Sequence, residues 1–184
     1  GTGFIGSHAS IALLESGFKV LILDSCINSS PKTIERIKRV VSIENKNFQN
    51  NLIFYKGDLC DVNFVESIFD NALKEGNEIS FVMHFAGLKS VGDSNLMPIK
   101  YWNSNLVGTL NLLTIMDKFN CKNLIFSSSA CVYGNNQHLC KEDSNVNPKN
   151  PYGHTKAAIE KLLFDIYNSS PNNWRIACLR YFNP

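Results

Sequence analysis

The sequence predicts an α/β protein with a doubly wound, mostly parallel sheet. Apolar segments of strand length alternate with segments of helical periodicity along the chain, and strands joined by helices form parallel sheets that are covered on both faces. A glycine-rich turn stands directly before the first helical segment. The 184 residues are 44% hydrophobic and 18% charged, which suits about one globular domain spanning 1–184.

The elements are assigned in order along the chain from these patterns. Residues 4–15 carry apolar side chains at helical spacing and precede Gly17, a typical helix stop, so they are predicted as a helix. Residues 19–23 are predicted as a buried strand. Helices follow at 33–42, 62–74, 99–118 and 152–167, and strands at 52–55, 79–85, 123–127 and 175–181. The Asn-rich segments 45–51 and 135–150 are predicted as surface loops.

Charge and hydropathy argue against two classes of partner. The chain has 18 Lys and Arg residues and 16 Asp and Glu residues, without a block of like charge. We therefore expect no nucleic-acid partner. The longest near-apolar segments, 20–23 and 79–88, are far shorter than the roughly 18 residues that a membrane-spanning helix needs. We therefore expect no membrane partner.

The six cysteines contain no Cys-x-x-Cys pair, so zinc spacing and a dithiol redox motif are both missing. We expect reduced thiols and a cytosolic protein. The four histidines have no spacing that would bring them together on a metal, and no metal site is predicted; His84 and the others are expected to be structural or solvated. The cysteines are Cys26, Cys60, Cys121, Cys131, Cys140 and Cys178, and the histidines are His8, His84, His138 and His154.

Gly1, Gly3 and Gly6 precede a helix in the pattern of a dinucleotide-binding turn, in which a pyrophosphate approaches backbone amides at the positive helix end. A glycine turn that only packs the helix on a strand is the alternative. Asp24 follows the next strand at the spacing of a carboxylate that accepts a ribose hydroxyl and repels a 2′-phosphate, which favours NAD over NADP. Asp24 as a strand-end turn former also stays open. Asp58, after strand 52–55, is expected on the same rim near the adenine.

Tyr152 and Lys156 are four residues apart on a predicted helix and therefore share one face. A tyrosine has a pKa near 10, so a base built on it needs nearby positive charge. Lys156 and a nicotinamide cation together would supply that charge. Ser129 lies near the carboxyl end of strand 123–127, the edge at which open α/β sheets bind ligands. The alternative for this pair is a structural role, with Tyr152 as a core aromatic residue and Lys156 as a solvated charge.

These segments together resemble the extended short-chain dehydrogenases/reductases, and most of all the 4-epimerases among them that interconvert UDP-glucose and UDP-galactose. The motifs that carry the resemblance are GTGFIGSH, GDL at 57–59, HFAGLKSVGDS at 84–94, SSSACVYG at 127–134, PYGHTK at 151–156 and RYFNP at 180–184. The resemblance covers the whole chain and implies an NAD-binding Rossmann fold. Because the chain begins inside the glycine turn, we expect a piece of a longer protein that lacks its first strand and a C-terminal substrate domain.

The resemblance implies a catalytic trio of Ser129, Tyr152 and Lys156, with Asn105 supporting the active-site helix. Its implied NAD contacts are Gly1, Gly3, Phe4, Ile5, Gly6, Asp24, Asn28, Ser29, Asp58, Leu59, Phe85, Ala86, Gly87, Lys89, Asn105, Tyr152, Lys156 and Phe182. Its implied contacts to a UDP-sugar substrate are Lys89, Ser129, Tyr152 and Asn183. A homodimer is one option for the full-length protein.

The implied reaction is a transient oxidation at the sugar C4, which inverts C4 without net redox change and belongs to galactose metabolism. A 4,6-dehydratase would need acid and base side chains just after the serine, where Ala130 and Cys131 stand, so dehydration is disfavoured. Epimerases that act on UDP-glucuronate or a UDP-pentose stay open as alternatives. A non-catalytic NAD-binding module is the alternative from another class.

Overall fold

The computed structural model describes residues 1–44, 48–135 and 139–183. The chain divides into two compact units, Gly1–Asp58 and Leu59–Pro184. Asn45, Lys46, Asn47, Asn136, Gln137, His138 and Pro184 lie outside the described residues, and with them part of both predicted loops.

The first unit is built on two parallel strands. Its elements are α1 (Phe4–Glu15), β1 (Val20–Asp24), α2 (Lys32–Glu44), a 3₁₀ turn (Phe48–Asn51) and β2 (Leu52–Lys56). Val20 lies opposite Leu52 and Asp24 lies opposite Lys56. Apolar side chains from both helices and both strands form one core: Leu14, Val20, Ile22, Ile34, Ile37, Val41 and Leu52. This core packs α1 against β1, and the predicted cofactor residues lie at the start of α1 and the end of β1.

The second unit holds three parallel strands in the order β3–β4–β5. Its elements are α3 (Val62–Lys74), β3 (Val82–His84), α4 (Val91–Leu96), α5 (Pro98–Tyr101), a π-helical turn (Trp102–Val107), α6 (Gly108–Lys118), β4 (Asn123–Ser129), a 3₁₀ turn (Ala130–Tyr133), α7 (Pro151–Ser169) and β5 (Arg175–Tyr181). Phe126 in the middle strand is fully buried. Strand β4 therefore runs through the centre of this unit and delivers Ser129 to its carboxyl edge.

The predicted α/β class with parallel pairing is confirmed, and the long predicted helical segment is helical throughout but contains a π-helical turn. Segment 99–118 is divided into α5, the π-helical turn and α6, and α5 begins at Pro98, since proline suits the first position of a helix. Helix α4 was not predicted, because it is short and contains Gly92. The Ser90 side chain caps this helix by accepting from the Asp93 N–H. The predicted strand 79–85 shortens to Val82–His84.

Three further features concern membrane-spanning helices, disulfides and metal sites. Within the described ranges, no helix is both long and apolar enough to cross a membrane. No disulfide joins any of the six cysteines, all of which are described. Among the residues that the structure describes, no group of three or more His, Cys, Asp or Glu side chains is arranged to hold a metal ion.

Candidate active site

The glycine turn of the first unit has the shape that a phosphate-binding turn requires. A Cβ atom on Gly1 would lie 2.2 Å from the Ile22 side chain, and one on Gly6 would lie 2.6 Å from the Gly1 carbonyl. These two glycines therefore allow close packing of α1 against β1. Gly3 is different, since nothing lies within 4 Å of its Cβ position, and no side-chain hydrogen bond caps α1 there. The positive end of α1 thus has space for an anion, which fits a dinucleotide pyrophosphate.

Asp24 ties the glycine turn to the end of β1. Its Oδ2 atom accepts from the Gly1 nitrogen at 2.9 Å and the Thr2 N–H at 2.8 Å. Its Oδ1 atom accepts from the Cys26 N–H at 2.8 Å and the Ser29 hydroxyl at 3.0 Å. Burial raises the pKa of the Asp24 carboxyl, while the hydrogen bonds from the Cys26 and Thr2 N–H groups lower it. The carboxylate therefore shapes the turn, whereas its contact with a ribose stays a prediction.

Thr2 is a contributor that the sequence analysis missed. It is buried, and its hydroxyl lies 2.7 Å from the Ser29 hydroxyl. Its position between two glycines was the available signal. The other cofactor candidates of this unit lie near the surface: Phe4 is exposed with its ring edge-on to His8, Ile5 is half-buried, and Asn28 and Asp58 are exposed.

The second unit brings Lys156 and Tyr152 to the start of α7. Asn150 caps this helix by accepting from the Gly153 N–H at 2.8 Å, and Pro151 follows at its first position. A Cβ on Gly153 would lie 2.8 Å from the Cys131 carbonyl. The glycine therefore lets the first turn of α7 approach the backbone that follows Ser129.

Lys156 is buried against the middle strand. Its Nζ atom donates to the Ser127 carbonyl at 2.7 Å and lies 4.7 Å from the centre of the Phe126 ring. The same atom lies 6.0 Å from the centre of the Tyr152 ring. Burial lowers the pKa of Lys156 to about 8, with the charge of Glu160 acting in the opposite direction. The ammonium group is therefore mostly protonated at pH 7 and lies close to the phenol.

Tyr152 is buried, and burial raises the pKa of its phenol, while a hydrogen bond with Ser129 acts to lower it. Ser129 is also buried, and its hydroxyl accepts from the Cys131 N–H at 3.2 Å. Lys156 alone therefore does not give the phenol the lowered pKa that the sequence argument required. A lowered value stays a prediction for the complex in which a nicotinamide cation adds its charge.

Asn105 connects the loop after β3 to α7. Its Oδ1 atom accepts from the Leu88 N–H at 2.8 Å. Its Nδ2 atom donates to the Leu88 carbonyl at 3.0 Å and to the Thr155 hydroxyl at 3.1 Å. Gly87 has a φ of +150°, a conformation that favours glycine, and a Cβ there would lie 3.1 Å from the Asn105 side chain. The Asn105 side-chain amide therefore joins the backbone of the loop at Leu88 to Thr155 of α7, the residue before Lys156.

A buried histidine belongs to the same cluster. The His84 Nε2 atom lies 2.8 Å from the Thr109 hydroxyl, which donates to the Asn105 carbonyl at 2.5 Å. This structural role agrees with the expectation for His84, but its link to Asn105 was not predicted. The spacing of Asn105 and Thr109, one helical turn apart, was the only signal available.

The remaining predicted site residues of this unit are half-buried or exposed. Phe182 is exposed, with its ring centre 6.1 Å from that of Tyr133. Leu59, Phe85, Ala86 and Gly87 are half-buried, whereas Lys89 and Asn183 are exposed. The structure thus gathers Ser129, Tyr152, Lys156 and Asn105 in the second unit. The glycine turn, Asp24 and Ser29 are gathered in the first.

Comparisons with known proteins support this picture. The family model described as GDP-mannose 4,6 dehydratase matches residues 1–184. A Pisum sativum protein named bifunctional UDP-glucose 4-epimerase and UDP-xylose 4-epimerase 1 is 44% identical, over 100% of this chain and 50% of that protein. The chain spans about half the length of the curated relatives it matches.

Two solved structures have similar folds. A UDP-glucose 4-epimerase from Bifidobacterium longum, in complex with NAD⁺ and UDP, has a TM-score of 0.88 and 40% identity, covering 100% of this chain and 52% of that one. A UDP-glucose 4-epimerase from Stenotrophomonas maltophila, with bound NAD and formylated UDP-arabinopyranose, has a TM-score of 0.89 and 38% identity, covering 100% and 51%. These matches confirm the resemblance and the fold class that the sequence predicted.

Proposed function

The chain belongs to the family described as GDP-mannose 4,6 dehydratase, and on that premise we propose that the protein is an NAD-dependent isomerase that interconverts UDP-glucose and UDP-galactose. The observation that carries this proposal is the cluster of Ser129, Tyr152 and buried Lys156 at the carboxyl end of β4. A module that only binds NAD needs neither a buried ammonium group nor a serine–phenol hydrogen bond. The cluster therefore favours an enzyme.

The residues of the first unit fit NAD as the cofactor. Gly3 leaves space at the positive end of α1 for the pyrophosphate. Asp24, with Ser29 beside it, presents an ionised carboxylate near the turn, which favours a ribose hydroxyl over a 2′-phosphate. When bound, NAD supplies reversible hydride transfer at the sugar C4.

In the second unit, Tyr152 is the base that takes the proton of the C4 hydroxyl. Ser129, which is hydrogen-bonded to the phenol, also binds the substrate oxygen and orients it. Lys156 holds positive charge beside the phenol, since a pKa of about 8 leaves most of the ammonium protonated at pH 7. Asn105 holds the backbone of the loop after β3 at Leu88. Tyr152 would then return the proton to the C4 oxygen, and a bound NAD would supply the hydride for the other face of C4, which inverts that carbon.

Epimerisation is favoured over the dehydration in the family description. Elimination of water needs acid and base side chains after the serine, and Ala130 and Cys131 occupy that 3₁₀ turn. A second candidate substrate is a UDP-pentose, because the matched Pisum sativum protein is named for UDP-xylose as well as UDP-glucose. The absence of disulfides among the six cysteines supports a cytosolic setting.

The test is the conversion of UDP-galactose to UDP-glucose by the full-length protein without added reductant, with UDP-xylose measured in parallel. We expect turnover, and we expect Tyr152→Phe to remove most of it while NAD stays bound. The variant Tyr167→Phe, at an exposed position later in α7, is the matched control and should retain activity. NAD binding by the wild-type protein without conversion of either sugar nucleotide would favour the non-catalytic module.

A further inference from the structure

A partly buried ion pair joins β5 to α7. Arg180 of β5 donates to Glu160 of α7, with Nη2 2.7 Å from Oε2 and Nε 3.0 Å from Oε1. The two side chains are only 20% and 11% exposed. Glu160 stands one helical turn after Lys156, on the same helix face. The pair is therefore adjacent to the proposed catalytic residues without being one of them.

Both partners also bind the segment 128–133, which contains Ser129 and the 3₁₀ turn after it. The Ser128 hydroxyl donates to Glu160 Oε1 at 2.5 Å. Arg180 Nη1 donates to the Tyr133 hydroxyl at 2.8 Å, and the guanidinium lies 4.9 Å from the centre of the Tyr133 ring. The pair thus holds this segment on both sides of Ser129.

Stability alone is a weak reason for such a pair. The desolvation of two charges offsets much of their attraction, and apolar residues of similar volume often stabilise a protein as well or better. A bidentate guanidinium–carboxylate contact gives strict geometry instead. Here that geometry is imposed on the neighbours of a serine whose hydroxyl must meet a phenol.

We infer that Glu160 and Arg180 are positioning residues, which hold segment 128–133 so that the Ser129 hydroxyl meets the Tyr152 phenol. This inference rests on the proposed function, since it assigns the pair a part in the same reaction. Glu160 also faces the Lys156 ammonium from within α7, while Cys178 and Arg180 face Glu160 from β5.

The experiment uses the full-length protein with two variants that each remove one hydroxyl and leave the ion pair intact, Ser128→Ala and Tyr133→Phe. We expect each to lower kcat by about tenfold with KM within about twofold, because small misplacement of reacting groups slows the chemical step. The variant Asp165→Asn, which breaks the exposed Lys161–Asp165 ion pair on the same helix, is the matched control. It should leave kcat unchanged.

A second measurement does not depend on turnover. The ionisation of Tyr152 is followed by ultraviolet difference titration, with Tyr152→Phe subtracted in each background. Because the Ser129 hydrogen bond lowers the pKa of Tyr152, its loss should raise that pKa in Ser128→Ala and in Tyr133→Phe. Wild-type kcat and an unmoved Tyr152 pKa in both variants would overturn the inference. If the wild-type protein shows no epimerisation, the proposed function fails, and the titration alone still decides the positioning role.

Discussion

His84 donates a hydrogen bond to Thr109 in the interior of the second unit. The His84 Nε2 atom lies 2.8 Å from the Thr109 hydroxyl. That hydroxyl donates its own proton to the Asn105 carbonyl at 2.5 Å, so it can only accept from the imidazole. The His84 ring therefore has a proton on Nε2. Burial, followed by the charge of Lys156, lowers the pKa of His84 to about 3.

We predict that His84 makes the protein less stable in mild acid. Its pKa is 6.5 in an unfolded chain and about 3 in the folded one, so the unfolded state binds more protons between these values. Stability from this group is complete above pH 6.5 and falls as the pH drops through that window. The loss between pH 7 and pH 5 is about 2 kcal/mol.

Denaturant unfolding of the full-length protein at pH 7 and pH 5 measures this effect. The wild type should lose more free energy of unfolding than His84→Asn over the same interval, by about 2 kcal/mol. The comparison uses the difference between the two pH values, so a general destabilisation by the substitution does not affect it. Equal pH dependence in both proteins would contradict the assignment of a neutral, buried imidazole.

Removal of the Thr109 hydroxyl should destabilise the protein. Thr109→Val keeps the side-chain shape but leaves the buried His84 N–H without its acceptor, which costs about 1–3 kcal/mol. Thr114→Val is the control, because Thr114 makes the same kind of hydrogen bond on the exposed side of α6. Denaturant unfolding should show at most about 0.5 kcal/mol for the control. Similar losses in the two variants would mean that the His84 contact contributes little.

Two alanine substitutions in the glycine turn should have different effects. Gly3→Ala should fold normally, since its Cβ meets nothing within 4 Å, but it should weaken NAD binding by narrowing the approach to α1. Gly6→Ala should lower stability as well, because its Cβ would lie 2.6 Å from a backbone carbonyl. Thermal melting and calorimetric titration with NAD measure the two effects. Wild-type NAD affinity in Gly3→Ala would contradict the assignment of this turn to the cofactor site.

Bound NAD should lower the pKa of Tyr152. Burial raises this pKa in the chain itself, and a nearby cation favours the phenolate. Ultraviolet difference titration with and without NAD, with Tyr152→Phe as the reference, measures the shift. We expect the pKa with NAD to lie below the ordinary value of about 10. A value at or above 10 in the complex would rule out Tyr152 as the base near neutral pH.

The sequence predicted the elements whose signals are local. Helix Phe4–Glu15 lies between a glycine turn and Gly17, and its predicted bounds agree with the structure. Strand Arg175–Tyr181 also has the predicted bounds. The alternation of helices and strands was enough to predict parallel pairing, because the connections leave few other arrangements.

What the sequence could not show depends on contacts between distant residues. Arg180 meets Glu160 across 20 positions, and His84 meets Thr109 across 25. Neither contact leaves a periodic pattern in the sequence. The direction of the Tyr152 pKa also depends on burial, and the helical spacing of Tyr152 and Lys156 contains no information about burial.

The π-helical turn Trp102–Val107 sets the rotational phase of the helix that carries Asn105. The Gly108 N–H donates to the Asn103 carbonyl five residues back, where an α-helix would use four. Deletion of one residue there would restore regular winding and swing the preceding side chains by about 100° around the helix axis. The length of this segment therefore matters as much as the residues in it, and a single-residue insertion or deletion there should displace the Asn105 amide from Leu88 and Thr155 even though every side chain is kept.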